Sequence, residues 1–101
     1  MQDGEVETTV NGYAQALVSA WFDAGGSLSE LARRASVTPQ AMSLLRLGTM
    51  GVGFRTARGL ARALGTDTGE LERRALAWHA AGRPPLGPEA LAGVSVNGGG
   101  K

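Results

Sequence analysis

The sequence predicts an all-α domain, a compact bundle of five helices. Three observations predict it. Apolar residues recur at three- and four-residue spacing in five separate segments, and no alternating run suggests a strand. Three of the segments open on a capping residue, Ser27, Thr38 or Asp67. Glycines stand where four of them must stop, at Gly25, Gly48, Gly65 and Gly82. With 101 residues, 43% of them hydrophobic, the chain can form one modest core. No internal repeat is visible.

Residues 1–11 carry no period and include Asp3, Glu5 and Glu7, so a flexible acidic tail is expected there. The domain proper is expected over 12–82. Its first helix spans about Tyr13–Ala24, where Ala14, Leu17, Val18 and Trp21 share a face before Gly25-Gly26. The second opens on a capping box: Ser27 precedes Glu30 by three residues, so each side chain can reach a free N–H at the helix entrance. Leu28, Leu31, Ala32 and Ala35 form its apolar stripe, and Arg33 and Arg34 point elsewhere.

Ser36-Val37-Thr38 makes a short break. Thr38 is a good N-cap, and Pro39 suits the first helical position, where no N–H is needed. Met42 and Leu45 give this third helix its buried side, and Gly48 ends it. The loop Gly48–Gly53 holds three glycines but lacks the lysine and spacing of a nucleotide-binding loop. A fourth helix is expected from about Phe54 to Leu64, with Ala57, Leu60, Ala61 and Leu64 inward. Arg55, Arg58 and Arg62, at i, i+3 and i+7, form a basic stripe along it. Asp67 and Glu70 repeat the capping-box spacing and open a fifth helix, about Thr68–Ala81, with Leu71, Ala75 and Trp78 apolar and Leu76 to one side. Pro84-Pro85, Pro88 and Gly98-Gly99-Gly100 mark 83–101 as a flexible tail with one turn at Pro88–Leu91.

Composition excludes several function classes. The absence of cysteine removes disulfide frameworks and thiolate metal sites and fits a reducing cytoplasm. One histidine, His79, is too few for a histidine-based metal site, so neither metal nor cofactor is expected. No nucleophile–base constellation stands out, and Asp67 and Glu70 are accounted for by helix initiation, so no catalytic residue is expected. The apolar runs are far shorter than a membrane span. The start Met1–Glu5 is acidic, unlike a secretory signal. The net charge of +1 says nothing about partners, but its distribution does: from Leu31 to Thr66 there are six arginines and no carboxylate, the electrostatic footprint of a polyanion.

Two short helices joined by a three-residue turn, with small Ala32 letting them approach and Val37 filling the angle, make the helix-turn-helix arrangement. Its second helix can enter the major groove of DNA. The run Ser27-Leu28-Ser29-Glu30-Leu31-Ala32-Arg33-Arg34-Ala35-Ser36-Val37-Thr38 resembles the lambda-repressor-like (Cro/XRE) family. So does Leu60-Ala61-Arg62-Ala63-Leu64-Gly65, followed by Glu70-Leu71. With the first helix included, the likeness covers about two thirds of the chain.

The resemblance implies a transcriptional regulator that binds double-stranded DNA at the bacterial nucleoid. Its DNA-contacting set would be Ser27, Ser29 and Arg33 on helix two, Thr38, Gln40, Ala41, Ser43 and Leu44 on helix three, and Arg55 on helix four. Backbone amides near Gly53–Arg55 and at the helix-two entrance would hold phosphates. The base-reading places of the family fall on Pro39, Gln40, Ser43 and Leu44. Of these, Gln40 and Ser43 can hydrogen-bond a base edge, whereas Leu44 offers apolar contact, for instance to a thymine methyl. Modest sequence readout is therefore expected, with a larger share from phosphate contacts and DNA shape.

The chain departs from the family at Ser36, usually Gly, and at Leu28, usually Gln. Where the family pairs an Arg with a Glu, Trp21 and Arg46 stand here, and a cation–π contact between them is expected. The alternative function is a protein-interaction module on the same fold, for which Leu28, Leu44, Leu47 and Met50 would supply an apolar surface. A homodimer through the fifth helix is the expected working unit, because one module with two or three base contacts discriminates weakly; of Leu71, Ala75, Trp78, Leu76 and His79, some must complete the protomer's own core.

Overall fold

A computed structural model of the chain describes residues 3–48, 51, 53–87 and 90. Five α-helices follow in order: α1 Asp3–Asp23, α2 Leu28–Ala35, α3 Pro39–Leu47, α4 Phe54–Ala63 and α5 Thr68–Ala80. There is no strand among the described residues. α1 packs on α5 and α3, α2 on α3 and α4, and α4 on α5. Within these pairings lies one core of Tyr13, Ala14, Leu17, Val18, Trp21, Leu31, Ala32, Ala35, Met42, Leu45, Leu60, Ala61, Leu64, Leu71 and Ala75.

Helices α2 to α5 begin and end within a residue of their expected bounds, and short polar side chains set the starts of α2, α3 and α5. Ser27 Oγ accepts from Glu30 N at 3.2 Å, Thr38 Oγ1 from Ala41 N at 3.1 Å and Asp67 Oδ1 from Glu70 N at 2.8 Å. Only half of each capping box forms. The carboxylates expected to return to the cap's own N–H are instead taken by arginines one turn on: Arg33 and Arg34 at Glu30, Arg73 and Arg74 at Glu70. Left-handed residues close the helices, and at α2 that residue is Ser36, with φ +60°. A side chain there costs about 1 kcal/mol relative to glycine. α2 and α4 cross backbone to backbone: a Cβ on Gly59 would lie 1.9 Å from the Ala35 carbonyl oxygen.

Two expectations need correction. The acidic tail is helical from Asp3, about three turns ahead of the expected start, with Thr9 buried and Val10 partly so. Its sequence has no helical period, and from Thr9 onward it is held by contact with the rest of the domain. A Cβ on Gly12 would meet Trp78 and Arg83 at 3.7 Å, and the Tyr13 and Trp78 rings stand 5.4 Å apart. The described residues after α5 are likewise not a free tail. Gly82 and Arg83, at φ +90° and +57°, turn it back on the domain. Trp78 Nε1 donates to Pro84 O at 2.9 Å, and Leu86 and Ala90 pack against the core. A partly buried indole N–H needs an acceptor, and this strap supplies one. Thr49, Met50 and Val52, most of the turn expected at Pro88–Leu91, and 91–101 lie outside the described residues.

The chain does hold one short internal repeat, contrary to expectation. Ser27–Ala35 and Asp67–Ala75 share a pattern of cap, two residues, Glu-Leu, one residue and Arg-Arg-Ala.

Candidate nucleic-acid interface

α2 and α3 are joined by the three-residue turn 36–38. Leu31, Ala32 and Ala35 of α2 and Met42 and Leu45 of α3 are fully buried, and Val37 packs against the same core from the turn. With that side of α3 committed, its outward stripe is Gln40, Ser43, Leu44 and Leu47, at i, i+3, i+4 and i+7. Gln40 is exposed, Ser43 and Leu44 are partly buried, and Leu47 is 58% exposed. α3 bears no charge before Arg46.

Arg46 is turned away from that stripe. Its guanidinium lies over the Phe22 ring at 4.4 Å, and its Nε is buried without a hydrogen-bond partner. Gln15 Nε2 donates to the Arg46 carbonyl at 3.2 Å, which ties the end of α3 to α1. The expected Trp21–Arg46 contact is therefore replaced by Phe22–Arg46. Trp21 is fully buried and turned into the core, whereas Phe22, one residue on, is 44% exposed and faces Arg46. Trp21 Nε1 donates instead to Ser27 O at 2.7 Å and anchors the α2 entrance, with Arg34 at 5.8 Å from its ring.

The hydroxyls of Ser27 and Thr38 act as helix caps, and the Ala41 N–H is the one Thr38 satisfies. Ser29 is exposed on the first turn of α2. Arg33 is also exposed, but Glu30 already holds it through both carboxylate oxygens. Hydrogen bonds from Arg33, then Arg34, hold the Glu30 carboxyl below its ordinary range.

α4 differs. Its N-cap, Gly53, supplies no side-chain acceptor, so the amides of the first turn are left for another partner. Arg55, Arg58 and Arg62 are exposed and pair with no carboxylate among the described residues. Arg58 and Arg62 also line an open cleft of about 310 Å³ with Thr66, Asp67 and Thr68. Neither they nor Leu47 belong to the site set inferred from the family likeness. The i, i+3, i+7 spacing of the arginines is the sequence signal for them.

On α5, Leu71 and Ala75 are buried in the protomer's own core, and Trp78 is partly covered by the strap. Most of the apolar face expected to meet a second copy is thus used within one chain. Among the described residues no cluster of three His, Cys, Asp or Glu side chains could hold a metal, and no helix is long and apolar enough to cross a membrane. No protein-family model matches the chain, and comparison with curated proteins and with solved structures likewise finds no match.

Proposed function

We propose that the chain is a DNA-binding transcriptional regulator of the lambda-repressor-like (Cro/XRE) kind, working at the nucleoid. α3 lies in the major groove of duplex DNA and α4 holds the phosphate backbone. One observation carries this reading. Three exposed guanidiniums without carboxylate partners among the described residues stand on the helix that follows a short, capped helix whose outward stripe is uncharged. A helix about 10–12 Å across fits the ~12 Å major groove. Gln40 and Ser43 would read base edges. Arg55 and the uncapped amides of α4 would share a phosphate, where the free N–H groups and the helix dipole favour an anion. Arg33 would contribute only by leaving Glu30.

Binding to mixed-sequence duplex DNA at rising salt tests this. Counterion release predicts a linear fall of log K with log salt, by about 0.9 per phosphate neutralised. Replacing Arg55, Arg58 and Arg62 together by Ala is expected to flatten the slope by about two to three units. The exposed Leu47 and Phe22 favour a second reading, a protein-interaction module, for which no duplex binding would be measured. Pairing of two copies on a two-fold site belongs to the DNA-binding proposal. It would use what α5 leaves outside, Leu76 and His79, and sedimentation with and without duplex would detect it.

A further inference from the structure

We infer that the C-terminal half of α3 reads thymine methyl groups, so that this protein's preferred sites carry thymine where Leu44 and Leu47 meet the groove. The inference rests on α3 being the groove helix and adds which bases it selects. Met42 and Leu45 already fill the buried side of α3, so packing of the domain gives no reason for a leucine that is 58% exposed at position 47. Leu47 continues the stripe of Gln40, Ser43 and Leu44, and the four residues span about 10 Å of helix, roughly three base-pair steps.

The stripe divides in two. Its first half holds the amide of Gln40 and the hydroxyl of Ser43, and its second half holds only leucine side chains. Among the described residues, Arg46 lies on Phe22 and the Thr38 hydroxyl caps Ala41 N, so neither adds a polar group to that half. In the major groove the thymine C5-methyl is the apolar group on offer. A leucine set against a G·C pair would instead desolvate N7, O6 or N4 with nothing to bond them. The occupant of this leucine face is duplex DNA rather than a protein, because the helix that follows, α4, exposes Arg55, Arg58 and Arg62, which pair with no carboxylate among the described residues.

Uracil differs from thymine only by the methyl group, which gives a direct test. Duplexes enriched by the intact protein from a random pool are remade with deoxyuridine for thymidine, one position at a time. About a fourfold loss of affinity is expected for each methyl contacted, at one or two positions. Leu47→Ala, at an exposed site that spares the fold, should show a similar loss on the thymine duplex and no further loss with uracil at the position it reads. Equal affinity for thymine and uracil versions at every position, or enriched sites without thymine, would overturn this inference while leaving DNA binding in place. Enrichment of no duplex at all would overturn both.

Discussion

α2 and α5 begin with the same side chains. Ser27 or Asp67 caps the third amide, and Glu30 or Glu70 collects two arginines from the next turn. Leu31 and Ala35, or Leu71 and Ala75, face the core. A tryptophan also stands near each, Trp21 on α1 just ahead of α2 and Trp78 within α5; its indole N–H donates to a carbonyl six residues on, Trp21 to Ser27 and Trp78 to Pro84, and an arginine lies over its ring. The surroundings then separate them. α2 is crossed at backbone contact by α4, ends on the left-handed Ser36 and leads into α3. α5 packs along α1, ends at Gly82 and runs into the strap. One local code starts both helices, and tertiary placement makes one of them part of the proposed reading head and the other part of the scaffold.

The largest expected effect breaks the α2 side alone. Gly59→Ala sets a methyl 1.9 Å from Ala35 O, a backbone atom that cannot swing aside. A loss of about 3 kcal/mol is expected in urea unfolding. An unchanged midpoint would mean that the two helices do not cross here.

The tryptophans come next. Trp21→Phe removes a fully buried indole and its 2.7 Å hydrogen bond, at a cost of about 2 kcal/mol. Trp78→Phe, at a site open to water, is expected to cost about 1 kcal/mol or less. Equal losses would erase the difference between core and strap.

The helix ends should respond with opposite signs. Ser36→Gly relieves a left-handed side chain and should raise stability by about 1 kcal/mol, and Gly82→Ala should lower it by a similar amount. The same unfolding measurement checks both.

The two glutamates should differ least in stability and most in function. Both are at the surface, where ion pairs contribute little. Glu30→Gln releases Arg33 at the proposed DNA face, so the salt slope of duplex binding should steepen by up to about one unit. Glu70→Gln should leave the slope unchanged. Hydrogen bonds from Arg73 and Arg74 hold the Glu70 carboxyl down to about 2. Because the folded-state value lies below the unfolded one, its small contribution is complete above the ordinary carboxylate range and is lost as pH falls toward about 2. A carboxyl-carbon NMR titration should find that low midpoint.

Much of this fold was legible because the signals are local. Ser27, Thr38-Pro39 and Asp67 start helices, and Gly48 and Gly65 stop them, through contacts within a few residues. What escaped depends on distant partners. Asp3–Gly12 has no period of its own yet is helical, and its last turn, at Gly12, meets Trp78 and Arg83. Pro84–Leu86 looked like tail, yet proline only forbids helix and does not forbid docking. The Arg46 contact was missed by one residue, the step that separates an inward Trp21 from an outward Phe22. The candidate site was legible as a stripe on α3 and a basic row on α4. That Arg33 is taken by Glu30 was not, since the same spacing serves either as a capping box or as an ion-pair cluster.

Titration of the labelled protein with a mixed-sequence duplex, followed by amide and indole NMR shifts, tests the division between reading head and scaffold most directly. The amides of Ser29, Gln40, Ser43, Leu47 and Arg55 are expected to move, with the Trp78 indole N–H and α5 left in place. Shifts centred on α5 and the strap, or no shifts at low salt, would contradict the account.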